Sequence, residues 1–231
     1  IGLEPMGVKE GIRLSEILKK KYNATWNKAA GGKAIALEAD GSVVTYSIDG
    51  GMKLTVLGPA HEQLVRLRER WDDVIEDFGA AEEAEDNGDA PPGLDLGIPG
   101  LEPMGPIDVP ELAKSKFKED ATIPNGSSIA LVLEYEGKIA LMLGDAYPSV
   151  IANSLRTLSP NGRFKAEVVK LAHHGSRNNT DRALASLLSA PTWIFSSNGA
   201  GNTKHPHKES VARVLHDGKD VIIEPGQFQN L

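Results

Sequence analysis

Cysteine is absent from this chain of 231 residues. That excludes disulfides and thiolate metal sites, so any bound metal must rest on His, Asp or Glu. No run approaches the ~18 apolar residues that a membrane helix needs, and no stretch reads as a signal peptide. The expectation is a cytoplasmic protein with no membrane partner. Positive charge is also in short supply: 25 Lys and Arg against 32 Asp and Glu leave a net charge of −7. This argues against a strongly basic nucleic-acid surface. It does not exclude nucleic acid as a substrate, because bound metal ions would reverse the local field. A hydrophobic share of 40% beside 25% charged residues is ordinary for a soluble globular protein.

What the chain does contain is a set of apolar runs of strand length that end in polar residues. Val168-Val169-Lys170-Leu171-Ala172 stops at His173-His174-Gly175-Ser176. Ile139-Ala140-Leu141-Met142-Leu143 runs into Gly144-Asp145, and Lys204-His205-Pro206-His207 follows Trp193-Ile194-Phe195-Ser196. Open α/β folds keep their sites where buried strands deliver polar side chains to one end of a sheet. Asp and His are the oxygen and nitrogen ligands that zinc takes. A lone histidine is most simply a loop or core residue; three such strand ends together point to a metal.

Taken in order, residues 11–22 read as a helix, with Ile12, Leu14, Ile17, Leu18 and Tyr22 on one face. Lys19-Lys20-Lys21 falls in its last turn, where cations suit the helix dipole. Residues 34–37, 43–46 and 53–57 read as three antiparallel strands joined by turns at Asp40-Gly41 and Gly50-Gly51. Pro59 fits the first turn of a further helix whose stripe is Leu64, Leu67, Trp71, Val74 and Phe78. His61, at its start, reads as a surface residue.

From Gly79 to about Pro110 the composition turns acidic and then rich in Pro and Gly, as in a linker or insertion. The hexapeptide Gly-Leu-Glu-Pro-Met-Gly occurs at 2–7 and again at 100–105, but its neighbours do not repeat. Beyond it lie a turn at Asn125-Gly126-Ser127-Ser128, a strand over 129–135, a turn at Glu136-Gly137 and a strand over 138–143. Helices are expected at 148–158, 181–188 and 209–215, giving a sheet covered by helices. The expected organisation is thus 1–78 (helix, β-meander, helix), 79–110 (linker or insertion) and 111–231 (the half that carries the ligand motifs).

Asn125-Gly126-Ser127-Ser128-Ile129, Leu143-Gly144-Asp145-Ala146, Lys170 to Ser176 and His205-Pro206-His207, taken as a series, resemble the second half of a metallo-β-lactamase-fold hydrolase. The branch is the one that includes the domain fused to DNA-uptake channel proteins of competent bacteria. The likeness covers residues 8–217, interrupted by the linker. It implies an α/β fold of the αββα sandwich type. It also implies hydrolysis of a phosphodiester or related ester, small-molecule or nucleic-acid, by water activated between two divalent ions, zinc or manganese. In that likeness Asp145 bridges both ions, while His174 and His205 each complete one shell. His173 stands beside them as general acid or oxyanion donor, and Asn125 and Ser128 lie near the site floor. Ser176 and Asn178 would orient the imidazoles. Alternation along a strand lets only one of His173 and His174 point inward, and His205 and His207 are interchangeable as ligand and helix start.

One departure limits the likeness. The family's His-x-His-x-Asp-His, which supplies up to four ligands ahead of everything quoted above, is missing, and the first histidine is His61. Each ion is left with two ligands from this chain, against the three protein ligands that a catalytic zinc takes. The sequence also opens on Ile1 rather than Met. The expectation is either the C-terminal part of a longer enzyme, or a module that has lost half of its site and serves binding or regulation.

A polar, acidic linker buries little. Replacing residues 82–98 with a short Gly-Ser linker is therefore expected to leave thermal stability almost unchanged. A loss above about 2 kcal/mol, large against ordinary domain stability, would show that the segment packs as structure.

Overall fold

The apolar runs assemble into one six-stranded mixed sheet. In the computed structural model, residues 8–22, 27–73, 108–197 and 205–221 are described, residues 8–13 and Tyr22 by backbone alone. Val74, Phe78, both copies of the hexapeptide and the linker up to residue 107 lie outside these residues. The strands are β1 (Thr45–Ser47), β2 (Lys53–Gly58), β3 (Ala130–Tyr135), β4 (Lys138–Met142), β6 (Val168–Lys170) and β8 (Thr192–Ile194), adjacent in that order. The first four pair antiparallel, then β6 joins β4 and β8 joins β6 in parallel. A separate parallel pair is formed by β5 (Phe164–Lys165) and β7 (Leu188–Ser189). The class is mixed α/β.

The β3–β4 hairpin turns on Glu136 and Gly137, with φ of 48° and 72°. Positive φ at both central residues matches the strand twist and holds the register that pairs Leu133 with Ala140. The helices are α1 (Val8–Tyr22), α2 (His61–Glu69), α3 (Val109–Ala113), α4 (Ile123–Gly126), α5 (Pro148–Leu158), α6 (Arg182–Ser186) and α7 (Lys208–Asp217). Among the described residues, side chains cap two of them: Asp108 accepts from Glu111 N at 2.9 Å, and Asp181 from Leu184 N at 2.7 Å. Proline occupies the first turn of α3, α4 and α5, where no N–H is missed. No helix among the described residues is long and apolar enough to cross a membrane.

Three local expectations change. Residues 34–37 are not a strand, because Leu37 N–H goes to Pro59 O, and proline has no N–H to return into a ladder. Asn125 and Gly126 end the single helical turn α4 instead of forming a simple turn; Gly126 N and Ser127 N donate to Thr122 O and Ile123 O. On α2 the buried residue is Gln63, and Trp71, expected in its apolar stripe, is 43% exposed.

Residues side by side on neighbouring strands share a face of the sheet. Val132, Leu141 and Val169 form one such row. They are buried in a core with Ile151 and Leu155 of α5, Leu184 of α6 and Val214 of α7. The opposite face is largely apolar, with Leu54, Leu133, Ala140, Val168 and Thr192 in one row and Leu131, Met142, Lys170 and Ile194 in the next. That face is only half-buried: Met142 is 39% and Ile194 43% exposed. Antiparallel strands tolerate one wet face, whereas parallel strands are ordinarily covered on both; here Lys170 and Thr192 are the polar residues among the apolar ones on the open face.

The helices are locked to the loops by a buried cation. Arg213 on α7 is 1% exposed. Its guanidinium donates to the carbonyls of Arg177 at 2.7 Å, Thr180 at 2.8 Å and Ser115 at 3.2 Å, and it lies 5.3 Å from the Phe117 ring centroid. Burial lowers its pKa, with Glu209 and Asp181 opposing. Arg213→Leu would leave the buried Thr180 carbonyl and the half-buried ones of Arg177 and Ser115 without their donor, at a cost on the order of 3 kcal/mol. Urea denaturation should show it, and a loss below about 1 kcal/mol would contradict the clamp.

Candidate functional site

Strands β4, β6 and β8 run in the same direction, so their C-terminal ends share one edge of the sheet. Beyond that edge lie Asp145, His173 and His174, joined by His205 and His207 ahead of α7. Crevices outside the carboxyl ends of parallel strands are where open α/β sheets hold ligands.

The chain leaves β6 through Leu171 and turns at once. His173 (φ 45°, ψ 53°), His174 (φ 54°, ψ 20°) and Gly175 (φ 84°) are all left-handed. Strand alternation, expected to turn one histidine away, has ended before the pair begins. Both rings accordingly reach the same place: centroids of His173 and His174 lie 5.1 and 6.2 Å from that of His205, and 6.1 Å from each other. His207 is 4.7 Å from His205 on the far side of the proline. Left-handed backbone costs an ordinary residue on the order of 1 kcal/mol, and His bears it better than most. Gly175 has no substitute, because a Cβ there would meet Phe195 Cδ1 at 2.5 Å and Pro206 Cβ at 2.8 Å. Backbone bonds tie the turn to its neighbours: His173 N donates to Gly144 O at 2.9 Å, and His207 N to Gly175 O at 3.1 Å.

Three of the four rings have a defined hydrogen-bond partner. His174 Nδ1 lies 2.5 Å from Ser196 O. A carbonyl only accepts, so Nδ1 carries the proton and Nε2 keeps its lone pair. His173 Nδ1 lies 3.1 Å from Asn179 Oδ1, 3.3 Å from Asn125 Nδ2 and 3.6 Å from Asp120 Oδ2. His207 Nδ1 accepts from Arg177 N at 3.2 Å. Beneath His173, Asp120 Oδ2 accepts from Asn125 at 2.7 Å and Asn179 at 3.1 Å, while its Oδ1 accepts from Thr122 N and Oγ1. Burial pushes the Asp120 pKa up, but the hydrogen bonds from Asn125, Thr122 and Asn179 outweigh it and leave the carboxyl below its ordinary value.

The residues singled out from sequence divide. Asp145, His173, His174, His205 and Asn125 come together. His205 is buried, 8% exposed, and Asp145 stands near enough to favour its charged form. Ser128 packs beside Gly144. Ser176 Oγ accepts from Asn178 N, and Asn178 O accepts from Asp120 N, so both shape the loop rather than touch an imidazole. Asp120 and Asn179, which do hold a ring, carry no motif of their own. His61 is exposed at the start of α2, as expected.

Compared with known proteins, the chain matches no family model, no curated protein and no solved structure. Among the described residues, no group of three or more His, Cys, Asp or Glu side chains is placed to hold a metal ion. The donors suit a zinc or manganese ion in kind and fall short of one in number.

Burial, then neighbouring His173, His207 and His174, push the His205 pKa below its ordinary 6.5, against Asp145. Burial and then Arg177 do the same to His207, against Glu209. The unfolded chain therefore binds protons that the folded one resists, and stability rises with pH across this range. The penalty is absent above the ordinary histidine value and grows as pH falls through it. In metal-free protein, Tm should drop between about pH 7.5 and 5.5. His205→Asn with His207→Asn should flatten the drop, and an equal drop in that variant would contradict the assignment.

Proposed function

We propose that this chain carries part of the site of a metal-dependent hydrolase with a metallo-β-lactamase-like αββα fold. The observation that carries the reading is the His173, His174 and His205 cluster beyond three strand ends, with His174 Nδ1 committed to a backbone carbonyl. Ligating histidines are held in that way, the second nitrogen tied and Nε2 left open. The half-exposed apolar face of the sheet supports the sandwich, since a second layer would cover Leu131, Met142 and Ile194.

In this reading Asp145, His174 and His205 are ligands and His173 is the proton-handling group beside them. Two divalent ions there, zinc or manganese, would lower the pKa of a shared water and stabilise charge on an attacked phosphodiester or related ester, small-molecule or nucleic-acid. The chain's own part is to aim the imidazoles and fix Asp145 against them. Its ligand number falls short of three per ion, so further ligands come from outside these residues. The lack of a three-ligand group among the described residues favours a second reading, a binding or regulatory module of this fold without catalysis.

Substitution in the full-length protein separates the two. Asp145→Ala should disturb both metals, while His174→Ala and His205→Ala should each weaken one. His61→Ala, on the surface of α2, and His216→Ala, bonded to Asp217 at 2.9 Å, should change neither metal content nor rate. Full metal occupancy in Asp145→Ala would remove the bridging role, and a well-folded protein that takes up no metal would favour the module.

A further inference from the structure

Asn179 is fully buried, and all of its amide hydrogen-bonding groups are used. Its Nδ2 donates to Asp120 Oδ2 and to the backbone carbonyl of Asp145, both at 3.1 Å. Both of those partners only accept, which fixes the amide the right way round. Its Oδ1 is thereby turned to His173 Nδ1, at 3.1 Å. An amide oxygen also only accepts, so this contact puts the proton on His173 Nδ1 and leaves the lone pair on Nε2. Asn125 Nδ2 gives one N–H to Asp120 at 2.7 Å and stands farther from Nδ1, at 3.3 Å, so its second N–H is the one competitor for that nitrogen; the shorter Asn179 contact and the Asp120 carboxylate at 3.6 Å both draw the proton onto Nδ1.

From this geometry we infer that Asn179 and Asp120 are a positioning pair for the site, setting the tautomer and ring orientation of His173. Through the Asp145 carbonyl, Asn179 also sets His173 against the end of β4. The consequence for the chemistry rests on the hydrolase reading. Neutral His173 meets its ligand as a proton acceptor at Nε2, and it can donate from that nitrogen only after taking a proton there. His173 and His174 then present lone pairs together, while His207, whose Nδ1 accepts from Arg177 N, presents an N–H at Nε2.

The test reads the tautomer itself. In 15N-labelled metal-free chain at about pH 8, where the imidazoles are neutral, long-range proton–nitrogen spectra distinguish protonated from bare ring nitrogens. The four rings are assigned by single His→Gln variants. His173 is expected to show Nδ1 protonated and Nε2 bare. Asn179→Leu should lose that state and average the two nitrogens, whereas Asn179→Gln, which keeps both the amide donors and the acceptor, should restore it. Asp120→Asn should give a partial loss, because the Asn179 amide is then free to turn. A merely structural role would leave the tautomer alone in every variant that folds.

Nε2 protonated in the wild-type chain would overturn the inference, as would an unchanged His173 spectrum in folded Asn179→Leu. If Asn179→Leu fails to fold, Asp120→Asn and the wild-type spectrum still decide. Failure of the metal reading is distinguishable: it would leave the His173 tautomer as stated and show only in metal uptake by the full-length protein.

Discussion

Everything proposed for this molecule depends on how β6 ends. Had the strand continued through residues 173 and 174, the two imidazoles would stand on opposite faces of the sheet. Three successive left-handed residues instead fold the chain over its own end and bring both rings to His205. The turn is held from two directions, by Gly144 at the end of β4 and by His207 at the start of α7. It also needs a glycine at 175, because Phe195 and Pro206 close on that position. Backbone strain of this kind, kept by surrounding bonds, is the usual accompaniment of a functional site.

A second layer of bonds fixes the loop that follows. Arg213 reaches from α7 to the carbonyls of Arg177 and Thr180, which bracket Asn179. Asp120 holds the side chains of Asn179 and Asn125 from the other flank. The imidazole of His173 therefore stands on an asparagine gripped from both sides. The buried cation and the lowered carboxyl are positioned for stability and aim together: one fixes the loop backbone, the other the amide that faces the ring.

Much of the frame was legible in the chain. Pro148 followed by apolar residues at helical spacing marked α5 to the residue, and Glu136-Gly137 between two apolar runs marked the hairpin. Runs that stop at Asp145, at His173-His174 and before His205 pointed to one end of the sheet, where parallel strands deliver their last residues. What stayed hidden is non-local. Asp120 meets Asn179 across 59 positions of sequence, and nothing local separates Asn179, fully buried, from its exposed neighbour Asn178. The expected strand at 34–37 failed because its partner is Pro59, a pairing that local alternation does not reveal. One face of the sheet is covered by helices, and the other, apolar apart from Lys170 and Thr192, is half-open.

The central proposal is that this chain holds one part of a two-metal site and not the whole. Calorimetric titration of the 231-residue chain with zinc and with manganese, paired with turnover of a nitrophenyl phosphodiester, tests it most directly. The account predicts no pair of tightly bound ions and no metal-dependent turnover, because Asp145 shared between two ions and one histidine each leave both shells short of three protein ligands. Two ions bound tightly, with hydrolysis that depends on them, would contradict it.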